Sequence, residues 1–304
     1  MPTTMNWASI ALLSAATFAV VNIIDSHLIS RRMPGFRAFL LPLGIFHVFY
    51  GSLFIWLFPL PTGIGVLPLL VAVASGILRT TAALIMLHNL RREEVSRVIP
   101  VVYTYPIFVA IIAILFLGET LAYLQWLAII IVVAGAVMVS AKQDSSGTTI
   151  RLGKPFILLL GASLFFALAD ITSKYALAYI SPWNMFSITA FCLSGVFLLV
   201  SVRSPVINQL ANMKGRKSAL ALLSFNEILV PAASVLSFWA LESGPVSLVS
   251  TIIGSRPIFV VLSALILSRV LPGFLKWQSD GGMLALRLVA VAMICGGIAI
   301  IYLT

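Results

Sequence analysis

Apolar residues along this chain gather into ten long runs separated by charges or by Pro/Gly clusters. Each run is close to the ~20 residues that an α-helix needs to cross a bilayer core of about 30 Å. The predicted helices cover residues 7–30, 38–58, 66–90, 95–117, 120–141, 154–180, 183–203, 217–242, 246–268 and 284–303. Their apolar character is continuous and does not alternate as barrel strands do, so a β-barrel is excluded. No basic residue precedes the first run and no soluble domain follows it, so it reads as a spanning helix and not as a cleaved signal.

Composition points the same way. A chain that is 61% hydrophobic and only 9% charged, with a mean hydropathy of +1.12, has more apolar surface than a soluble core can hide. The expected fold class is an all-α membrane protein with ten transmembrane helices. Its net charge of +10 would suggest nucleic acid for a soluble protein. Here the basic residues lie mostly in short loops between runs, so no nucleic-acid partner is expected and orientation explains them. Cys192 and Cys295 sit inside apolar runs with no spacing for a disulfide framework or a metal. No metal or other cofactor is expected.

The chain also repeats itself. A shift of 151 lays Val95–Val109 on Val246–Val260 with seven of fifteen positions identical, Pro106-Ile107-Phe108-Val109 falling on Pro257-Ile258-Phe259-Val260. At a shift of 148, Phe18-Ala19 meets Phe166-Ala167, Ile23 meets Ile171 and Pro34 meets Pro182. We expect a first five-helix repeat at residues 1–141, a polar linker at 142–153 and a second five-helix repeat at 154–304. Five is odd, so the second repeat enters the membrane upside down.

Loop charges test that inference. Arg31, Arg32 and Arg37 have no basic counterpart near Ser181, and Arg91, Arg92 and Arg97 have none between Glu242 and Pro245. With the linker and the loops before runs 8 and 10, sixteen of the nineteen Lys/Arg fall on one face. Positive residues favour the cytoplasm, which places both termini outside and makes the chain a multi-pass protein of a bacterial inner (plasma) membrane. Inverted repeats are a build of secondary transporters, with the site at the midplane between halves. A proline in a membrane helix frees a carbonyl and bends the segment where a cavity or neighbour can satisfy it, so Pro106 and Pro257 mark runs 4 and 9 as cavity walls or packing kinks.

At these residues the sequence resembles the drug/metabolite transporter superfamily, in its ten-helix EamA type, over essentially the whole chain. The resemblance is carried by the Pro-Ile-Phe of run 4, the Gly118-Glu119 that closes it, Ala134-Gly135 in run 5, the second Pro-Ile-Phe in run 9 and Gly296-Gly297 in run 10. It implies a basket in which helices 1–4 and 6–9 surround a central cavity and helices 5 and 10 lie outside. It further implies alternating-access transport of small metabolites, often proton coupled. There are departures. The second half has Ser268-Arg269 in place of Gly-Glu, followed by a longer connection through Pro272-Gly273 to Gly281-Gly282, which could form a surface segment. Aligning the lysine of the small multidrug members with Lys174 puts Phe166 where they carry an essential glutamate, and the repeat puts Phe18 there, which disfavours their mode of cationic drug export. Termini outside also departs from the usual orientation of the family.

Six charges fall within the runs away from their ends: Asp25, Arg79, Asp170, Lys174, Glu227 and Arg256. A charge at the bilayer centre costs about 3 kcal/mol or more unless it faces protein or water, so each is a candidate for function. Asp170 and Lys174, four apart on one helix, can pair with each other. Arg79 and Arg256 have no acid within four positions and present forks suited to a carboxylate or phosphate. Either they hold an anionic group of the substrate or they pair with Asp25 or Glu227. Asn22 and Asp170 are repeat equivalents and suggest two walls of one cavity. Tyr103 lies beside Pro106, and Trp239 lies late in its run; both are candidates for substrate contact, though packing and interfacial anchoring compete. Glu227, Asp25 and His47 are candidates for proton coupling, because groups in low-dielectric sites can exchange protons near neutral pH.

The expected function is secondary transport of a small polar metabolite, such as an amino acid or another zwitterionic or anionic compound, by a monomer or homodimer in a lipid bilayer. A lipid-headgroup flippase of the same architecture is the alternative. A membrane-embedded enzyme is disfavoured: Arg92-Glu93-Glu94-Val95-Ser96-Arg97 only loosely resembles the paired glutamates of intramembrane proteases, and no HExxH or Walker loop is present.

Overall fold

A computed structural model describes residues 6–92, 98, 101–140, 154–260, 262–263 and 281–304. The described residues form helices and turns, with no strand among them. They are α1 (Trp7–His27), α2 (Phe36–Leu57), α3 (Val66–Arg92), α4 (Tyr105–Leu117), α5 (Tyr123–Ser140), α6 (Lys154–Leu177), α7 (Pro182–Ser201), α8 (Ser204–Ala211), α9 (Arg216–Ser243), α10 (Val246–Gly254) and α11 (Gly281–Leu303). Among the described residues six segments are long and apolar enough to cross a membrane, and Tyr105–Leu117, Tyr123–Met138, Val246–Val260 and Leu288–Leu303 are shorter apolar helices. The linker 142–153, the loop charges Arg97, Arg269 and Lys276, and the connection after Ser268 lie outside the described residues.

Local signals set the ends. The Asn6 side chain accepts a hydrogen bond from the Ala8 amide to start α1, and Ser181 does the same for Asn184 in α7. Beyond His27 the first helix continues in a wider five-residue turn, Leu28–Arg32, closed by Met33 N–H on the Leu28 carbonyl at 2.8 Å. Gly118 ends α4 at φ 65°, a left-handed cap that suits glycine. The short α8 was not expected: it lies between two spans, mixes Val206 and Ile207 with Asn208 and Gln209, and is too brief to register as an apolar run.

Burial is inverted relative to a soluble protein. Trp56, Phe116, Tyr123, Leu199 and Leu303 are exposed, as residues facing lipid tails would be, whereas Ser14, Ser75, Asp170, Asn226, Glu227 and Ser250 are buried. Helices from the first half pack on helices from the second: α1 on α9, α2 on α7, α3 on α6, α4 on α10 and α5 on α11. Ser9 Oγ and Tyr302 Oη share a hydrogen bond of 2.8 Å, so α1 begins where α11 ends. The α5–α11 contact depends on small residues. A Cβ on Gly135 would stand 2.8 Å from Ile294 Cγ1 and one on Gly297 2.6 Å from Val132 Cγ2, while Gly296 faces open space.

Both Pro-Ile-Phe copies sit just past a break in their helix, and the breaks match at the 151-residue shift. Thr104 Oγ1 donates to the Val101 carbonyl at 2.7 Å, and Ser255 Oγ to the Ile252 carbonyl at 2.6 Å. Ile107 N–H reaches the Thr104 carbonyl at 3.1 Å, and Ile258 N–H the Ser255 carbonyl at 3.0 Å. Pro106 has no N–H for the Val102 carbonyl, which instead accepts from Ser163 Oγ at 3.1 Å. The two breaks adjoin each other: a Cβ on Gly254 would lie 2.8 Å from Pro106 Cγ.

Candidate functional site

A cavity of about 170 Å³ lies among α1, α2, α3, α6, α7, α9 and the broken helices at Tyr103 and Ser255. Of the ten residues predicted for binding or coupling, eight line it: Asn22, Asp25, His47, Arg79, Tyr103, Asp170, Glu227 and Arg256. The other two do not. Trp239 is 48% exposed on the outer surface of α9, and Lys174 points to the α9–α10 turn, where it donates to the carbonyls of Leu241, Glu242 and Gly244 at 2.7, 3.0 and 2.9 Å.

The expected pairing of Asp170 with Lys174 is therefore corrected. Asp170 takes its cation from α3: Arg79 Nη2 donates to Oδ1 at 2.7 Å. Its other oxygen accepts from Ser250 Oγ at 2.7 Å. Lys174 finds a better site at the end of α9, where orphan carbonyls and the negative end of the helix dipole meet its ammonium. Arg79 also lies over the Phe238 ring, 5.2 Å from its centroid. An arginine so held by a carboxylate and a ring is a fixed part of the wall.

Arg256 is held differently. Its guanidinium carbon is 4.1 Å from the Phe18 centroid and 5.8 Å from that of Tyr103. No carboxylate lies within 4 Å of it among the described residues; its buried Nε, like that of Arg79, has no hydrogen-bond partner. Neither expected pairing, with Asp25 or with Glu227, occurs. Tyr103 Oη accepts from Asn22 Nδ2 at 3.0 Å, which fixes the phenol beside the arginine.

A second polar group gathers on α1, α2 and α9. Asp25 is half-buried against the cavity and accepts from Asn226 Nδ2 at 2.7 Å. Glu227 is 1% exposed. Its Oε2 lies 3.6 Å from His47 Nδ1 and has no hydrogen-bond partner. That histidine nitrogen is 2.9 Å from the Leu43 carbonyl, so it carries the ring proton and donates there. Neither Asp25 nor Glu227 has a Lys or Arg within 4 Å among the described residues.

Tyr105 also lines the cavity and was missed. Repeat spacing could have found it, since Tyr105 and Arg256 are equivalent at the 151-residue shift. Their surroundings match as well: Tyr105 lies 6.3 Å from Phe166 between centroids, and Arg256 stacks on Phe18, the repeat equivalent of Phe166. One half thus presents a tyrosine where the other presents an arginine.

Residues 5–141 match the model of the EamA-like transporter family. No curated protein matches the chain by sequence. A solved structure titled only "Crystal structure of protein" is similar over 97% of each chain, with 16% identity and a TM-score of 0.69, so the same fold extends through both halves. Over residues 5–141 the chain is thus similar to the EamA-like transporter family, which falls within the drug/metabolite transporter superfamily.

Proposed function

We propose that the protein is a secondary transporter that moves a small zwitterionic or anionic metabolite, such as an amino acid, through this cavity by alternating access. The architecture proposed is two inverted five-helix repeats, residues 1–141 and 154–304, with 142–153 as linker, the basic loops in the cytoplasm and both termini outside. The carrying observation is Arg256, a half-buried cation held by rings and left without a carboxylate among the described residues. Such a fork suits a substrate carboxylate or phosphate. Further along α1 stand Asp25 and, across from it, Glu227. Phe18 and Asp25 are seven residues apart on α1, about 10 Å at 1.5 Å per residue. A compact zwitterion spans that interval, with its anionic end on Arg256 and its cationic end on the carboxylates. In the absence of substrate the same carboxylates, with His47, are the groups that would carry a coupled proton.

A thermal-shift screen of purified protein against amino acids, sugars, nucleosides, organic anions and organic cations tests this reading, since a ligand of the folded state raises its apparent stability. The expected hit is a zwitterion or anion. R256Q weakens it by about 30-fold, equivalent to about 2 kcal/mol for a lost charge-assisted contact. An undiminished shift in a folded R256Q protein, or hits confined to cations, would contradict the assignment.

A further inference from the structure

The cavity is asymmetric along the helices. On α1 its lining comes from the second half, Phe18 to Asp25, and on α3 from Arg79 to Leu87. Toward the face where α1 begins, the space is filled by Ala8, Ala11 and Ala15 of α1, Ala240 and Leu241 of α9, and Val246 and Val249 of α10, all buried. Over this packing lies one turn, Gly244-Pro245, between α9 and α10.

That turn is clasped by opposite charges at its two ends. Lys174, at the end of α6, caps α9 through three carbonyls. Glu119, just past the end of α4, caps α10: its carboxylate accepts from Val246 N–H at 2.6 Å, Ser247 N–H at 3.3 Å and Ser247 Oγ at 2.5 Å. Each charge sits at the helix pole that attracts it. Trp7 covers the turn, since a Cβ on Gly244 would stand 2.7 Å from its ring. Glu119 and Trp7 come from the first half of the chain, and the turn from the second.

We propose that Glu119 and Lys174 are the gating residues of this face, holding the α9–α10 turn closed and releasing it when the cavity opens to the side on which α1 begins. The idea rests on the alternating-access reading above. Charged caps suit this task, because water can replace them when the face opens, whereas a buried ion pair at the same place would resist separation. The sequence does not repeat this charge pair: the 148-residue shift places Ser26 opposite Lys174, and the 151-residue shift places Val270 opposite Glu119.

A cysteine at Ser234, a half-buried cavity position, reports the open side when Cys192 and Cys295 are replaced by alanine. Membrane-impermeant maleimide is applied to intact cells and to inverted vesicles. In the parent, labelling comes mainly from the face of the basic loops. K174Q and, separately, E119Q raise labelling from the opposite face at least about 5-fold and lower it from the basic face. Unchanged labelling in both variants overturns the proposal, as does a rise from both faces at once, which is loosening and not gating. K174R restores the parental pattern if charge at the α9 end is what holds the turn; failure of that rescue counts against it. The transport reading fails separately, if no solute in the binding screen is moved by parent proteoliposomes, because the labelling needs no substrate.

Discussion

The two half-buried arginines look alike in the sequence and differ in the fold. Arg79 is neutralised by Asp170, so its removal leaves a carboxylate at 4% exposure with the Ser250 hydroxyl but no cation, an arrangement that costs several kcal/mol. Arg256 has no such debt to settle. The local sequence could not reveal this difference, because the Arg79–Asp170 contact joins positions 91 apart on two helices. Periodicity identifies a face, not the partner opposite it. For the same reason Lys174, which local spacing offers to Asp170, goes instead to carbonyls near position 241. Glu227 carries a sharper expectation. With the solute selected by thermal shift loaded in proteoliposomes, an imposed proton gradient drives parental transport, and E227Q loses that dependence while retaining downhill exchange. Gradient-driven transport by E227Q equal to the parent would remove Glu227 from the coupling site and leave Asp25 and His47 to be tested.

At the scale of elements, ten apolar runs were readable and a described helix overlaps each of them, six of these helices being long enough to span and four shorter. The signal is strong because hydropathy integrates over about 20 residues. It fails for α8, whose eight residues fall below that window, and it blurs α4, where the run begins at residue 95 but the helix that bears Pro106 starts afresh at Tyr105. The doubled Pro-Ile-Phe marked both bends, and in the fold the two breaks share one hydrogen-bond pattern. Thr104 and Ser255 carry it out with equivalent hydroxyls. The glycines of runs 5 and 10 were legible as motif and not as geometry; only contact with Val132 and the Ala128 carbonyl distinguishes Gly297 from Gly296. G297L is expected to destabilise the α5–α11 pair by roughly 1–3 kcal/mol through overpacking, against little change for G296L. Thermal unfolding of the two variants in detergent checks this, and equal melting temperatures would contradict it.

At the scale of the whole molecule, hydrogen bonds bring the start of α1, the ends of α4, α6, α9 and α11 and the start of α10 to one face. Chain order then carries the other ends of these helices, with the basic loops near Arg31 and Arg203, to the opposite face. Eight of ten predicted site residues converge on one cavity because intramembrane charge is costly enough to be placed with purpose. What remained illegible was the clasp on the α9–α10 turn, whose contacts join positions 67 to 128 residues apart and leave no local mark.

The central claim is that the halves are upside down relative to each other, and Arg31 and Tyr179, exposed equivalents at the 148-residue shift, test it most directly. Single cysteines at these positions, in the background lacking Cys192 and Cys295, are treated with impermeant maleimide on intact cells. Y179C is expected to label and R31C only after the membrane is opened. Labelling of both, or of neither, from the same side would contradict the inverted arrangement; the opposite pattern would keep it and reverse the orientation.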